Sequence, residues 1–289
     1  MEDPTRRPDA LPEDGQPDAD RAAHLELVRD GYDAVYGTGP ESALLQHLWS
    51  THASGPGFPP AFAHISFLTM DEAEVLASAS GLSDGDHLVD VACGTGGPGL
   101  LVAALTGAHL TGVDLSPVGI AGAVARSERV GMTGSSRFVV GTFERTGLPD
   151  GCADAVLSVD AIQYSLDKRA ALAEMARLLR PGGRLLLTGF EVDPARVAGF
   201  PVLGLDPVDD FNPLLSEAGF ELESYEESDR WQERLVAAYD AVLDEAAALR
   251  SEMGEQGYAP LALEASTTLG FEPYRRRVLV VASRREGTG

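Results

Sequence analysis

Two aspartates bracket a glycine-rich loop in this chain. The run Val89-Asp90-Val91-Ala92-Cys93-Gly94-Thr95-Gly96-Gly97 ends an apolar strand and opens a helix. Its glycines let the backbone approach a ligand where a side chain would clash. Twenty-four positions after Asp90, Asp114 ends the next apolar run, Leu110-Thr111-Gly112-Val113. A carboxylate there can accept hydrogen bonds from both ribose hydroxyls of a nucleoside. A glycine loop alone is a weak signal, because tight turns are glycine-rich too. Strand, loop, helix, second strand and terminal acid together specify a nucleoside site. The nearest rival on such an arrangement is a dinucleotide dehydrogenase. Against it, Asp90 stands before the loop, where a carboxylate suits a cationic ligand end better than a pyrophosphate.

The elements that must position these residues are short β-branched runs alternating with helical segments, the pattern of βαβ units on a parallel sheet. Strands are predicted at His87–Ala92, His109–Asp114, Ser136–Val140, Ala153–Asp160, Arg184–Phe190, Phe220–Glu226 and Arg275–Ala282. Pro181-Gly182-Gly183 makes a turn into the fifth, after a helix over Arg169–Leu179. Ahead of the sheet, helical spacing of apolar residues predicts two helices between Ala22 and His52, broken at Gly37-Thr38-Gly39-Pro40, and a third over Met70–Gly81. Trp231–Met253 reads as a long helix where such a core expects only a turn, which makes it a cover for the site. The expected organisation is a disordered acidic and proline-rich tail at 1–20, a helical lid at 21–84, and a core at 85–289 with a cover inserted at about 228–270.

The combination resembles the class I S-adenosylmethionine (SAM) dependent methyltransferases, over roughly residues 85–190 and more weakly to the C-terminus. The loop looks like their first motif, with Ala92 where the family usually has a glycine. The resemblance implies an α/β, Rossmann-like, mostly parallel seven-stranded sheet with helices on both faces and a helical lid. It further implies that Asp90, Ala92, Gly94 and Gly96 hold the methionyl end, that Asp114 binds the ribose and that Leu115 packs on adenine. Gly141-Thr142-Phe143-Glu144 looks like the third segment, with Thr142 where an acid often receives the adenine amino group and Phe143 beside it. Leu157-Ser158-Val159-Asp160-Ala161-Ile162-Gln163-Tyr164 looks like the segment that faces the sulfonium and brings Ser158 to the cofactor. The Pro-Gly-Gly turn before the fifth strand fits the same family, whose reaction turns SAM into S-adenosylhomocysteine.

The acceptor is expected to be a small molecule. With 45 acidic and 22 basic residues the formal charge is −23, which repels a phosphate backbone. The Pro-Pro-aromatic signature of nucleic-acid amino-methyltransferases is absent after the fourth strand, so no nucleic-acid partner is expected. No apolar run is long enough for a bilayer, so no membrane partner is expected either. Two cysteines suit a reducing cytoplasm, where the chain would act alone or as a homodimer. Phe58, Phe62 and Phe67, among glycines and prolines, suit a lid like those of relatives that methylate secondary metabolites or quinone-like molecules.

A base is needed only when the acceptor is a hydroxyl or an acidic carbon. All six histidines lie at or before His109, and His64 is the best-placed base, ahead of His47 and His52. Gln163 and Tyr164 can orient an acceptor. Asp160 and the Asp209-Asp210 pair are too sparse to specify Mg2+, and no metal is expected. The leading reading is methyl transfer to oxygen, nitrogen or carbon of a small hydrophobic metabolite. The alternative is a homologue that binds SAM without transfer, as a cyclase or binding subunit.

Overall fold

The computed structural model describes residues 16–197 and 206–286. Seven strands form one sheet: β1 His87–Val91, β2 His109–Asp114, β3 Ser136–Val140, β4 Ala153–Val159, β5 Leu179–Val192, β6 Phe220–Glu227 and β7 Arg275–Arg284. Their order is β3-β2-β1-β4-β5-β7-β6. β7 runs antiparallel to both neighbours and the other pairings are parallel. The order reverses between β1 and β4, so the crevice at their carboxyl ends is the natural ligand position of an open α/β sheet. Sheet and class agree with the sequence expectation. β5 starts earlier than expected: the chain continues in strand through Pro181-Gly182-Gly183, where Gly182 takes a left-handed φ of 76°.

Ten helices connect and cover the sheet among the described residues. They are α1 Gln16–Thr38, α2 Ala43–His52, α3 Met70–Ala79, α4 Gly97–Thr106, α5 Pro117–Arg129, α6 Lys168–Leu178, α7 Pro194–Val197, α8 Asn212–Glu217, α9 Trp231–Asp244 and α10 Ala246–Phe271. The expected tail lies outside the described residues except for its last five, which are helical in α1. α3 starts on a capping box, Thr69 and Glu72 each accepting from the other's backbone N–H. Where one long helix was expected from Trp231 to Met253 there are two, and the second reaches Phe271. Gly254 (φ 71°) and Pro260 interrupt the sequence signal there, and the helical chain bends at Gly254 instead of ending. Among the described residues no helix is long and apolar enough to cross a membrane.

Alternate residues of the central strands feed two cores, one on each sheet face: Leu185, Leu187, Val278 and Val280 in one, Leu186, Leu279 and Val281 in the other. That is the burial of a sheet covered on both sides. A third core belongs to the cover, where Leu45, Trp49, Phe67, Leu235, Tyr239, Leu249 and Leu261 pack α2, α9 and α10 together over Phe190 of β5. The segments before β1 and after β6 therefore form one cap over the carboxyl edge.

Buried polar groups fasten that cap. Arg277 of β7, fully buried, donates from Nε and Nη2 to the two carboxylate oxygens of Asp160 at 2.8 and 3.1 Å. Its Nη1 donates to Glu72 and to Ser228 Oγ, both at 2.7 Å. Asp160 also accepts the Phe67 N–H at 2.8 Å. Arg234 of α9 reaches the Phe67 and Ala53 carbonyls at 2.5 and 3.0 Å. Arg126 of α5 joins the Ala61 carbonyl to that of Thr95, and Ser116 donates to Asp33 of α1. Replacing Arg277 by Met would leave Asp160 a buried carboxylate without its cation and Glu72 with only the longer Arg234 contact at 3.4 Å. Urea unfolding of Arg277→Met is expected to show a loss of about 3–5 kcal/mol, and a loss below about 1 kcal/mol would show that the cap is held by apolar packing alone.

Candidate functional site

The carboxyl ends of β1 and β4 open into one cleft of about 1790 Å³, its solvent-filled mouth included. Its floor is the glycine loop. Ala92 has φ 63°, a left-handed conformation that costs a residue with a Cβ about 1–2 kcal/mol. The fold imposes there the backbone that a glycine would adopt freely. At Gly94 (φ 53°) a Cβ would lie 2.7 Å from the Tyr36 hydroxyl, so α1 rests on the loop itself. Asp114 accepts the Gly94 N–H at 2.7 Å on one oxygen and the Ser116 N–H at 2.8 Å on the other. These bonds aim the carboxylate and leave further lone pairs for a ligand. Burial pushes Asp114 up to about 6 in spite of them.

Asp90 is the less satisfied acid. It is buried at the end of β1, lines the cleft, and its Oδ2 has no hydrogen-bond partner. Burial, and then the like charge of Asp114, pushes its carboxyl up to about 8. A buried carboxyl that lines the cleft beside a glycine loop, with no cation paired to it among the described residues, is complementary to an ammonium group, the chemistry of the methionyl end of SAM. On that observation the residues present fit the cofactor: Asp90 would take the amino group, Asp114 the ribose hydroxyls, and Leu115, Thr142 and Phe143, which line the cleft further along, the adenine.

Most of the residues singled out in the sequence meet here. Asp90, Ala92, Gly94, Asp114, Leu115, Thr142, Phe143, His64, Gln163 and Tyr164 all line the cleft. Two do not. Gly96 (φ 77°) is the N-cap of α4, where a Cβ would come within 3.0 Å of the Ala123 Cβ, so it serves helix packing. Ser158 lies fully buried in β4, with its neighbours Val159 and Asp160 on the cleft. It sits deeper in the strand, behind the residues that reach the carboxyl edge.

His64 reaches the cleft but is not built as a base. The Ser66 N–H donates to its Nδ1 at 3.1 Å, which assigns the ring proton to Nε2. That nitrogen is buried and has no partner, and burial lowers the ring to about 3. The imidazole therefore presents an N–H donor and holds its lone pair on Ser66. His47 is exposed, His52 half-buried, and neither lines the cleft. Asp160 is committed to Arg277, and Asp209 and Asp210 are exposed. Gln163 donates to the Asp160 carbonyl at 2.5 Å while its Oε1 stays unpartnered. Tyr164 donates to Glu264 at 3.0 Å.

Sequence reasoning missed four cavity residues: Tyr32 of α1, Tyr239 of α9, Glu264 of α10 and Arg275 of β7. Tyr32 and Tyr239 carry the signature of ordinary core aromatics. Glu264 lies in helical sequence beyond the expected end of the cover helix. Only the folded arrangement of the cap brings them together.

The comparisons with known proteins agree with this geometry. A family model described as a methyltransferase domain matches residues 89–187, from the glycine loop to β5. The chain is similar to the 27-O-demethylrifamycin SV methyltransferase of Amycolatopsis mediterranei, 28% identical over 211 residues that cover 69% of this chain and 75% of that protein. It is also similar to the sterol 24-C-methyltransferase ERG6B of Gibberella zeae, 33% identical over 108 residues, which are 37% of this chain and span only 28% of that one. Among solved structures, the [4+2]-cyclase SpnF shares the fold with a TM-score of 0.71 at 21% identity, over 90% of this chain and 96% of that one.

The open Asp90 acid makes ligand binding depend on pH. Free Asp90 is protonated below about 8, and an ammonium ligand binds its ionised form. Affinity for S-adenosylhomocysteine is therefore expected to rise between about pH 6.5 and about pH 8, by up to about tenfold per unit, with release of one proton. Calorimetry in buffers of different ionisation enthalpy reads both. Asp90→Asn should bind more weakly and without the pH slope, and an unchanged slope in that variant would remove Asp90 from the ligand site.

Proposed function

We propose that this chain, which belongs to the class I SAM-dependent methyltransferases of the small-molecule type, moves the SAM methyl group to a small hydrophobic metabolite of secondary metabolism. The observation that carries this reading is the continuity of the cleft. From the polar floor at Asp90, Gly94 and Asp114 it runs without a partition into a chamber walled by Leu25, Val28, Trp49, Phe190, Leu261 and Phe271. A site for a charged nucleoside thus opens on a space for an apolar molecule, roofed by the cap. The rifamycin methyltransferase that the chain resembles supports an acceptor of that class.

SAM supplies a methyl carbon made electrophilic by its sulfonium. What the chain contributes is position: the cap excludes water, and the acceptor is held against the donor by walls that Arg277, Arg234 and Arg126 keep in place. Gln163 and Tyr164, in the turn after β4, line the same cleft and can orient an acceptor. A roofed chamber also disfavours a polymer substrate, and the charge of −23 acts in the same direction, so nucleic acid is not expected as acceptor or partner. The two free thiols, Cys93 and Cys152, suit a reducing cytoplasm.

The reading is tested by incubating the full chain with methyl-tritiated SAM and a cell extract of its source. Label is expected in a low-mass product that partitions into organic solvent. Label in precipitated nucleic acid or protein would contradict the reading.

A further inference from the structure

The chamber wall formed by α10 and β7 carries a polar cluster that the nucleoside site does not use. Glu264 of α10 accepts hydrogen bonds from the Tyr239 hydroxyl at 2.7 Å and the Tyr164 hydroxyl at 3.0 Å, both on Oε1. Tyr32 of α1 packs edge-on against the Tyr164 ring, centroids 5.5 Å apart. No hydrogen bond to the second oxygen, Oε2, is found among the described residues. Glu264 retains accessible surface although protein surrounds it, so that surface faces the cavity. Arg275 stands beside it, its guanidinium stacked 4.0 Å above the Phe190 ring. Its Nε is buried without a partner, and no ion pair joins it to a carboxylate among the described residues.

Such groups are costly to bury unless a ligand completes them. Oε2 can take a hydrogen bond from a hydroxyl, and the terminal guanidinium nitrogens of Arg275, a cavity-lining residue that retains accessible surface and for which no hydrogen bond is found among the described residues, can give one to an oxygen that has no proton. We propose that Glu264 is the general base for transfer to a hydroxyl, and that Arg275 receives a carbonyl oxygen beside that hydroxyl, so that the acceptor is a phenolic or enolic ketone. The proposal rests on the reading of the chain as a small-molecule methyltransferase and adds the atom methylated. A lone pair of the hydroxyl oxygen bonds to the methyl carbon, the carbon–sulfur bond breaks with its electrons left on sulfur, and the hydroxyl proton passes to Glu264 Oε2.

The surroundings suit that role. Burial pushes the Glu264 carboxyl above the ordinary glutamate value, while the two tyrosine hydrogen bonds and Arg275 limit the rise. A carboxylate raised above its ordinary value is a stronger base toward a weakly acidic phenol or enol than an ordinary glutamate. Burial pushes Tyr164 and Tyr239 far above the ordinary phenol value, so both stay protonated and keep Oε1 engaged. The groups that face Glu264 are thus Tyr32 of α1, Tyr164 after β4, Tyr239 of α9 and Arg275 of β7, and Arg275 is the one cation among them.

The test uses the full chain saturated with S-adenosylhomocysteine and three probes: 1-hydroxy-2-acetonaphthone, 2-acetonaphthone, which lacks the hydroxyl, and 1-naphthol, which lacks the carbonyl. Calorimetry is expected to show the hydroxy ketone binding about tenfold tighter than either. Glu264→Gln keeps the acceptor oxygen for the tyrosines and should erase the preference over 2-acetonaphthone. Arg275→Met should erase the preference over 1-naphthol. With SAM present, Glu264→Gln should lower kcat for the hydroxy ketone by about 10²–10⁴-fold with KM little changed, and remove the acidic limb of the kcat/KM profile. Undiminished S-adenosylhomocysteine affinity in both variants checks that they fold. A wild-type protein that binds S-adenosylhomocysteine but shows no preference for the hydroxy ketone, or a Glu264→Gln variant with full kcat, overturns this proposal alone. A wild-type protein that does not bind S-adenosylhomocysteine overturns the underlying reading with it.

Discussion

Arg277 has no access to solvent, and everything above the carboxyl edge of the sheet is arranged around the cost of placing it there. A buried guanidinium needs carboxylates and hydrogen-bond acceptors on several sides at once. It finds them on Asp160 at the end of β4, Glu72 in the first turn of α3 and Ser228 before α9. Those three come from the core, the N-terminal lid and the C-terminal cover. Asp160 in turn takes the Phe67 N–H, and Phe67 belongs to the apolar core of the cap. Each charge in the set is answered by another: burial alone would raise Asp160, yet Arg277 holds it below the ordinary aspartate value. The geometry of the cap relative to the sheet is therefore fixed by ion pairs, with apolar packing filling the space between them.

The same edge contains acids that are left incomplete. Asp160 is spent on structure, whereas Asp90 and Asp114 are buried within mutual electrostatic reach and both rise above the ordinary range. Glu264 rises on the opposite wall. Raised acids gathered in one cleft, with no cation paired to them, are the pattern of a ligand site. The division matches the two halves of the proposed reaction, with the cationic donor assigned to Asp90 and the acceptor hydroxyl to Glu264.

Much of this was legible in the sequence. All seven strands were visible because β-branched and leucine runs between turn residues mark a sheet buried on both faces, and the strand, glycine loop and terminal acid from Asp90 to Asp114 marked a cleft for a nucleoside, which the family resemblance made the expected donor site. The losses have physical causes. Ser158 was placed in the cleft because a motif names a segment, whereas depth along the strand decides which of its side chains reach the carboxyl edge. His64 looked like a base because a sequence shows an imidazole and not the Ser66 N–H that occupies its lone pair. The second cover helix was cut short at Met253 because Gly254 and Pro260 read as a stop, and Glu264 went unseen with it. Arg275 and Arg277 share one face of β7, and only the cap folded over that face distinguishes the first, at the cavity, from the second, in the buried network.

The central claim is that one roofed cavity joins the donor site at Asp90 and Asp114 to the chamber that holds Glu264. A crystal structure of the full chain with S-adenosylhomocysteine tests it most directly. The account predicts the amino group on Asp90, the ribose hydroxyls on Asp114, and the sulfur facing the chamber beside Gln163 and Tyr164. A ligand bound with its sulfur turned away from that chamber, or a wall separating the sulfur from Glu264, would contradict it.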